Sequence, residues 1–227
     1  MIRLRPRRMV EDATGRFPAR PVFGITDMDH DCERIVMDFL MDRHGQVRYP
    51  FATDDLTALI ERDTEDLDLY ADLRRYGDHV EGVTIFNPGG KPSVKISRGL
   101  AVSRRQVNRY RSTLAHEYAH VLLHASLFDD SAGRPVSERT SRGVDWMEWQ
   151  ANYAAFALLM PKTGLALAVE EHADEWVRYA PPQAASAEGV SMIRAVSRRF
   201  AVSGAAARIR LEQHFYLQIE REHPETV

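Results

Sequence analysis

Residues Leu114 to Ala125 carry histidines at positions 116, 120 and 124, set among leucine, alanine, valine and tyrosine. A repeat of four marks one face of an α-helix, whereas a strand turns its side chains to opposite faces at every residue. Leu114, Tyr118, Val121, Leu122 and Ala125 give the same helix apolar surface to bury. The stretch must therefore be a packed helix that presents a row of imidazoles. It is expected to run from about Arg104 to Leu127.

Within that row, His116 and His120 lie about 6 Å apart along the axis. Both imidazoles can then reach one zinc ion (Zn²⁺) at about 2.0–2.1 Å. Glu117 sits one step round the helix, where it can take a proton from an attacking water. His124 would lie about 12 Å from His116 in an unbroken helix, too far to share the metal. It reads as a histidine that packs behind the ligands. The third ligand has to come from elsewhere. Glu148 stands 28 positions after His120, at the start of the next expected helix. Asp145 is the competing carboxylate and suits the N-cap of that helix better, which leaves Glu148 in the first turn. Two histidines, one glutamate and an open position make a catalytic zinc set, whereas structural zinc sites are closed and mostly cysteine-rich.

The rest of the chain sets bounds on what surrounds this helix. With 227 residues, 44% hydrophobic and 28% charged, it has ordinary globular composition. That length can bury a core without disulfides. Cys32 is the one cysteine, which excludes an internal disulfide framework and fits a reducing, cytoplasmic setting. No run approaches the roughly 18 apolar residues of a membrane span. The basic N-terminus lacks the apolar run of a secretory signal. A net charge of −3 argues against a protein built throughout to coat nucleic acid, and leaves room for a local basic patch.

Three segments are expected. Residues 1–24 hold six arginines against Glu11 and Asp12 and read as a flexible, solvated arm, or one that contacts an acidic partner or DNA. Residues 25–165 form the core. It opens with a helix from Asp27 to about Arg43, with Ile35, Val36, Phe39 and Leu40 on one face and Gly45 as its stop. Thr53 reads as the N-cap of a short helix through Ile60, and the acidic run from Asp54 to Asp68 as a solvated face. Val80–Phe86 and Val94–Ser97 read as strands of a hairpin around Asn87-Pro88-Gly89-Gly90. A polar loop covers 129–143, a second strong helix runs from Asp145 to Met160 before Pro161, and a shorter one from Lys162 to Arg178.

Residues 166–227 form a C-terminal helical segment. A helix from Ser191 to Phe200, a turn at Ala201-Val202-Ser203 and a helix from Gly204 through Leu211 resemble a helix-turn-helix, with Ser203 as N-cap. Arg194, Arg198, Arg199, Arg208 and Arg210 favour a DNA contact, whereas Gly204-Ala205-Ala206-Ala207 leaves the first turn without long polar side chains and favours packing or docking. Cys32 reads as a small buried hydrophobe; the sharper reading is a thiolate that blocks the open zinc position.

The chain resembles the ImmA/IrrE-type metallopeptidase family. Four stretches carry the resemblance: Arg111-Ser112-Thr113-Leu114-Ala115, the His116–His120 HExxH core, Glu148-Trp149-Gln150-Ala151-Asn152, and Leu158-Leu159-Met160-Pro161. It covers about residues 27–165, and Tyr118 and Ala119 depart from the commoner leucine and glycine. The resemblance implies an α+β, mostly helical zincin-like peptidase with a small antiparallel β-sheet, and it makes Glu148 the third zinc ligand. It also implies a helix-turn-helix repressor as substrate, cut in response to DNA damage, phage or other stress. Catalysis then assigns Glu117 as general base, with His124, Tyr153, Arg111 and His214 as candidates to support the oxyanion. The hairpin offers an edge on which substrate could be laid as an added strand. Two other readings stay open: a DNA-binding regulator whose zinc site is structural or vestigial, and an antitoxin-like partner that binds without cutting.

Overall fold

Described residues in the computed structural model are 2–87, 89–128, 145–172 and 180–219. They divide into two units, Met1–Pro161 and Lys162–Val227. The first unit is built round the imidazole-bearing helix, α4 (Val107–His124), which continues into a 3₁₀ turn at Ala125–Phe128. Every residue from Glu117 to His124 is buried, so the C-terminal half of this helix is enclosed on all sides. That explains the apolar and aromatic residues Tyr118, Ala119, Val121, Leu122 and Leu123 at the positions that are not chemically committed. α5 (Trp146–Leu159) packs along it, and alanines at 151, 154, 155 and 157 let the two helices lie close. α1 (Ile25–His44) packs on α5 and buries Ile35, Val36, Phe39 and Leu40, the expected face. It ends at Gly45, whose φ of 67° suits glycine and whose N–H bonds the Met41 carbonyl.

The sheet differs from expectation. β4 (Gly82–Ile85) and β5 (Ser93–Ser97) pair antiparallel, as the hairpin predicts. A third strand, β3 (Asp66–Ala71), joins β5 on its other side and runs parallel to it, so the sheet is mixed, in the order β3-β5-β4. β3 comes out of the acidic run. Asp66-Leu67-Asp68-Leu69 alternates with the period of a strand, and Lys95 Nζ on β5 lies 3.8 Å from both aspartates. Charge density hid that alternation. α2 (Thr53–Asp63) precedes β3, with Ala52 rather than Thr53 at the N-cap, and the short α3 (Arg98–Ala101) follows β5.

The N-terminal segment is also not a solvated arm. β1 (Arg8–Glu11) and β2 (Ala19–Val22) form an antiparallel hairpin. The Leu4 N–H donates to the Leu122 carbonyl on α4 at 2.9 Å, and Arg7 pairs with Asp27. Asp12 is 5% exposed and accepts from Thr14 N–H, Thr14 Oγ1, Phe17 N–H and the Trp146 indole. Phe17 meets Phe128 edge-on at 5.2 Å, and Phe128 stacks on Phe86 at 4.3 Å. The arginines dominate the composition of this segment, but Leu4, Asp12 and Phe17 fix it.

In the second unit, α6 (Lys162–Glu170) is followed by α7 (Ala187–Phe200) and α8 (Gly204–Gln213). Ser203 caps α8 by accepting from Ala206 N–H at 3.1 Å, as the sequence predicts. Met192, Val196, Phe200, Ala207 and Leu211 are buried. Of the five arginines considered for DNA, Arg210 is fully buried, Arg199 pairs with Glu171, and Arg208 pairs with Glu212. Pro88, the whole of the 129–143 loop, and 173–178 of the expected Lys162–Arg178 helix lie outside the described residues. Among the described residues no single helix is long and apolar enough to cross a membrane.

Candidate metal centre

α4 places His116 and His120 on one face with their Nε2 atoms 3.1 Å apart. Glu148 comes to them from α5. The Asp145 carboxylate accepts from Met147 N–H at 3.0 Å and so caps that helix, leaving Glu148 in the first turn. One Glu148 oxygen lies 3.3 Å from His116 Nε2 and the other 3.4 Å from His120 Nε2. The ligating atoms of all three lie within 4.8 Å of one another. Donors about 2.0–2.1 Å from a tetrahedral ion stand about 3.3–3.4 Å apart, so the set fits such an ion with one position left over. Three donors drawn from two packed helices, two imidazoles and one carboxylate, are suited to a divalent cation.

Electrostatics follows from the same contacts. Burial works against the His116 imidazolium, but the Glu148 hydrogen bond and the charges of Glu117 and Glu148 outweigh it and raise its pKa. Burial likewise opposes the Glu148 carboxylate, yet the hydrogen bond from His116 and the imidazoles beside it hold it well below the usual carboxylate range. The His120 side chain is 2% exposed, whereas His116 and Glu148 are 20% and 33% exposed, so the cluster opens towards Glu148.

Behind the donors lies a layer of polar partners. His116 Nδ1 meets Asn152 Oδ1 at 3.1 Å. His120 Nδ1 meets His124 Nδ1 at 3.0 Å, and His124 Nε2 meets Gln150 Oε1 at 3.0 Å. Burial drives the His124 pKa far below that of a free imidazole, so the ring is neutral. His124 stands behind His120 and is not one of the donors.

Glu117 is 6% exposed and is held from the sheet side. Thr84 on β4 donates its hydroxyl to Glu117 Oε2 at 2.7 Å. Gly82, two residues earlier on the same face of the strand, lies against the same carboxylate.

Two of the expected oxyanion candidates are engaged elsewhere. Arg111 donates to the Phe51 carbonyl at 2.7 Å and to Thr53 Oγ1 at 3.0 Å, which fastens the start of α2. The Tyr153 hydroxyl donates to Asp29 on α1 at 3.0 Å. His214 belongs to the second unit, at the end of α8. Cys32 is fully buried on α1 and is not among the clustered donors, which leaves it as a small buried hydrophobe.

Sequence reasoning did not single out Gly82, Thr84, Gln150 or Asn152. Gln150 and Asn152 lie inside the segment already noted around Glu148; Asn152 shares the Glu148 face at i+4, whereas Gln150, at i+2, is placed only by its contacts with His124 and Pro21. Gly82 and Thr84 carry no motif; only the packing of β4 on α4 gives them a role.

Comparison with curated proteins gives no match. The model of the IrrE N-terminal-like domain (Peptidase_M78) matches residues 72–212, more than half of the chain and a span that includes His116, His120, Glu117 and Glu148. The chain therefore belongs to this family of metallopeptidases.

Proposed function

We propose that the protein is a zinc-dependent endopeptidase that cuts a regulatory protein, a helix-turn-helix repressor, in response to DNA damage, phage or another stress. The observation that carries the reading is a buried carboxylate, Glu117, on the residue next to His116 in a His116–His120–Glu148 donor set. His116, His120 and Glu148 would hold the metal. When bound, zinc polarises the scissile carbonyl and makes water a competent nucleophile near neutral pH. Glu117 accepts the proton of the attacking water and delivers it to the leaving amine nitrogen. Thr84 and Gly82 hold that carboxylate in one place during both transfers.

The substrate lies extended along β4, one of the two edge strands of the β3-β5-β4 sheet and the one whose Thr84 and Gly82 lie beside Glu117. Backbone pairing on a strand edge aligns a chain without reading much of its sequence. α7 and α8 supply a docking element for the repressor, and the burial of Arg210 together with the pairing of Arg199 and Arg208 favours docking over DNA contact. The reaction takes place in the cytoplasm, where such a repressor works.

The test is a pair of co-expressions. Wild type and Glu117→Gln are each expressed with the regulator encoded beside the gene, with and without DNA damage. Zinc content and fragments of the regulator are read from both. A discrete fragment with wild type only, at equal zinc content, is the expected result. An intact regulator in every arm, despite bound zinc and proven damage, overturns the repressor reading.

A further inference from the structure

The polarity of the contacts behind His120 can be worked out from one end. Gln150 Nε2 donates to the Pro21 carbonyl on β2 at 2.9 Å. A carbonyl only accepts, so the amide of Gln150 has one orientation, with Oε1 facing His124. His124 Nε2 must then be the donor, 3.0 Å away. A neutral imidazole has one N–H and one bare nitrogen, so His124 Nδ1 accepts, and the partner at 3.0 Å, His120 Nδ1, donates. His120 is thereby left with a bare Nε2, the atom that faces His116 Nε2 and Glu148.

We propose that Gln150 and His124 form a directional hydrogen-bond relay, its amide end oriented by the Pro21 carbonyl, that fixes the tautomer of His120. The inference rests on the proposed role of His116, His120 and Glu148 as metal donors. Pro21 and Gln150 are separated by 129 positions, and Pro21 lies outside the span that matches the family. His124 and Gln150 are both buried, so water does not compete for either contact. They are positioning residues: neither touches the ion or the substrate. A ligand histidine whose other nitrogen is held in this way is both oriented and made more basic.

The test uses the full chain loaded with zinc. Nitrogen-15 NMR of the wild type reads the His124 tautomer, expected as Nε2–H with a bare Nδ1. Chelator competition reads zinc affinity in two variants. Gln150→Met fills similar space without hydrogen bonds and is expected to weaken zinc binding about 10–100-fold while the stoichiometry at saturating zinc is unchanged. Gln150→Glu keeps the acceptor for His124 but faces the Pro21 carbonyl with a second acceptor. It is expected to lower the melting temperature of the zinc-free chain while keeping zinc affinity within a few-fold of wild type. A merely structural glutamine would give the opposite split, with both variants less stable and neither altered in affinity. An Nδ1–H tautomer at His124, or unchanged affinity in Gln150→Met, overturns the relay. If Gln150→Met fails to fold, the wild-type tautomer decides alone. Absence of zinc binding by the wild type would instead overturn the donor set itself.

Discussion

Gly82 and Glu117 stand so close that a methyl group on the glycine would fall 2.5 Å from Glu117 Oε1 and 2.8 Å from its Cγ. Real Cβ atoms do not approach so near, so one side must move. The strand is fixed by its pairing with β5, whereas the carboxylate is the end of a flexible side chain. Gly82→Ala should therefore displace the Glu117 side chain, and Thr113 Cγ2, which the methyl would meet at 2.8 Å, must give way with it. The expected outcome is a loss of peptidase activity of about 10²–10⁴-fold, the usual share of a general base, with zinc content unchanged. Activity and bound zinc measured on the same preparation check it; retained activity would mean that Glu117 does not need this position.

Tyr118 replaces a leucine common in the resembling family, and its hydroxyl donates to the buried Asp63 at 2.7 Å. Burial and the neighbouring carboxylate push the phenol pKa far up, so it stays a donor at all working pH values. The bond ties α4 to the end of α2. Tyr118→Phe leaves a buried carboxylate short of a donor and should cost about 1–3 kcal/mol. Denaturant unfolding checks this, and zinc affinity should not change, because Tyr118 faces away from the donors. An unchanged unfolding midpoint would mean that Asp63 finds a replacement donor.

Asp12 gives a prediction for pH. Burial opposes its ionisation, but hydrogen bonds from Thr14, Phe17 and Trp146 outweigh burial and lower its pKa below the ordinary 3.8. A carboxylate with a depressed folded pKa contributes stability that is fully present above its unfolded value and is lost as pH falls through the folded one. The stability difference between wild type and Asp12→Asn should therefore be about 1–3 kcal/mol at neutral pH. It should shrink as pH drops below about 3.8. Tryptophan fluorescence during unfolding at several pH values reads it, since the Trp146 indole is one of the four donors. A difference constant with pH would mean that the charge of Asp12 plays no part in holding the hairpin.

Local signals in the sequence survive in the structure because their physics is local. The four-residue spacing of His116 and His120, the Asp145 cap that sets Glu148, and the Ser203 cap all act within one or two turns. What the sequence concealed acts over distance. Asp12 and Trp146 are 134 positions apart, and no pattern near either announces the other. The alternation in β3 was legible in principle, but four acidic residues within Asp63–Asp68 suggested solvent more strongly than a strand. Arg111 precedes His116 by five residues on the same helix; only the loop at Phe51 and Thr53 shows where its guanidinium goes. Charge counts describe a segment's composition, whereas a few buried side chains decide its place.

The donor set itself predicts a coupling between metal and stability. An ion that binds only the folded chain stabilises it by RT ln(1 + [L]/Kd), about 2.7 kcal/mol at a hundredfold excess over Kd. Zinc should therefore raise the melting temperature of wild type and of Glu117→Gln alike, because Glu117 is not among the clustered donors. Glu148→Ala removes one donor of three and should abolish most of the shift. Protons compete for the same atoms. His116 holds its proton to a higher pH than a free imidazole, whose ordinary pKa is 6.5. The zinc-induced shift should thus be full well above that raised pKa and should decline as pH falls through it. Scanning calorimetry with and without zinc, across pH 5.5 to about 8.5, reads both effects; a shift that survives in Glu148→Ala would place the ion elsewhere.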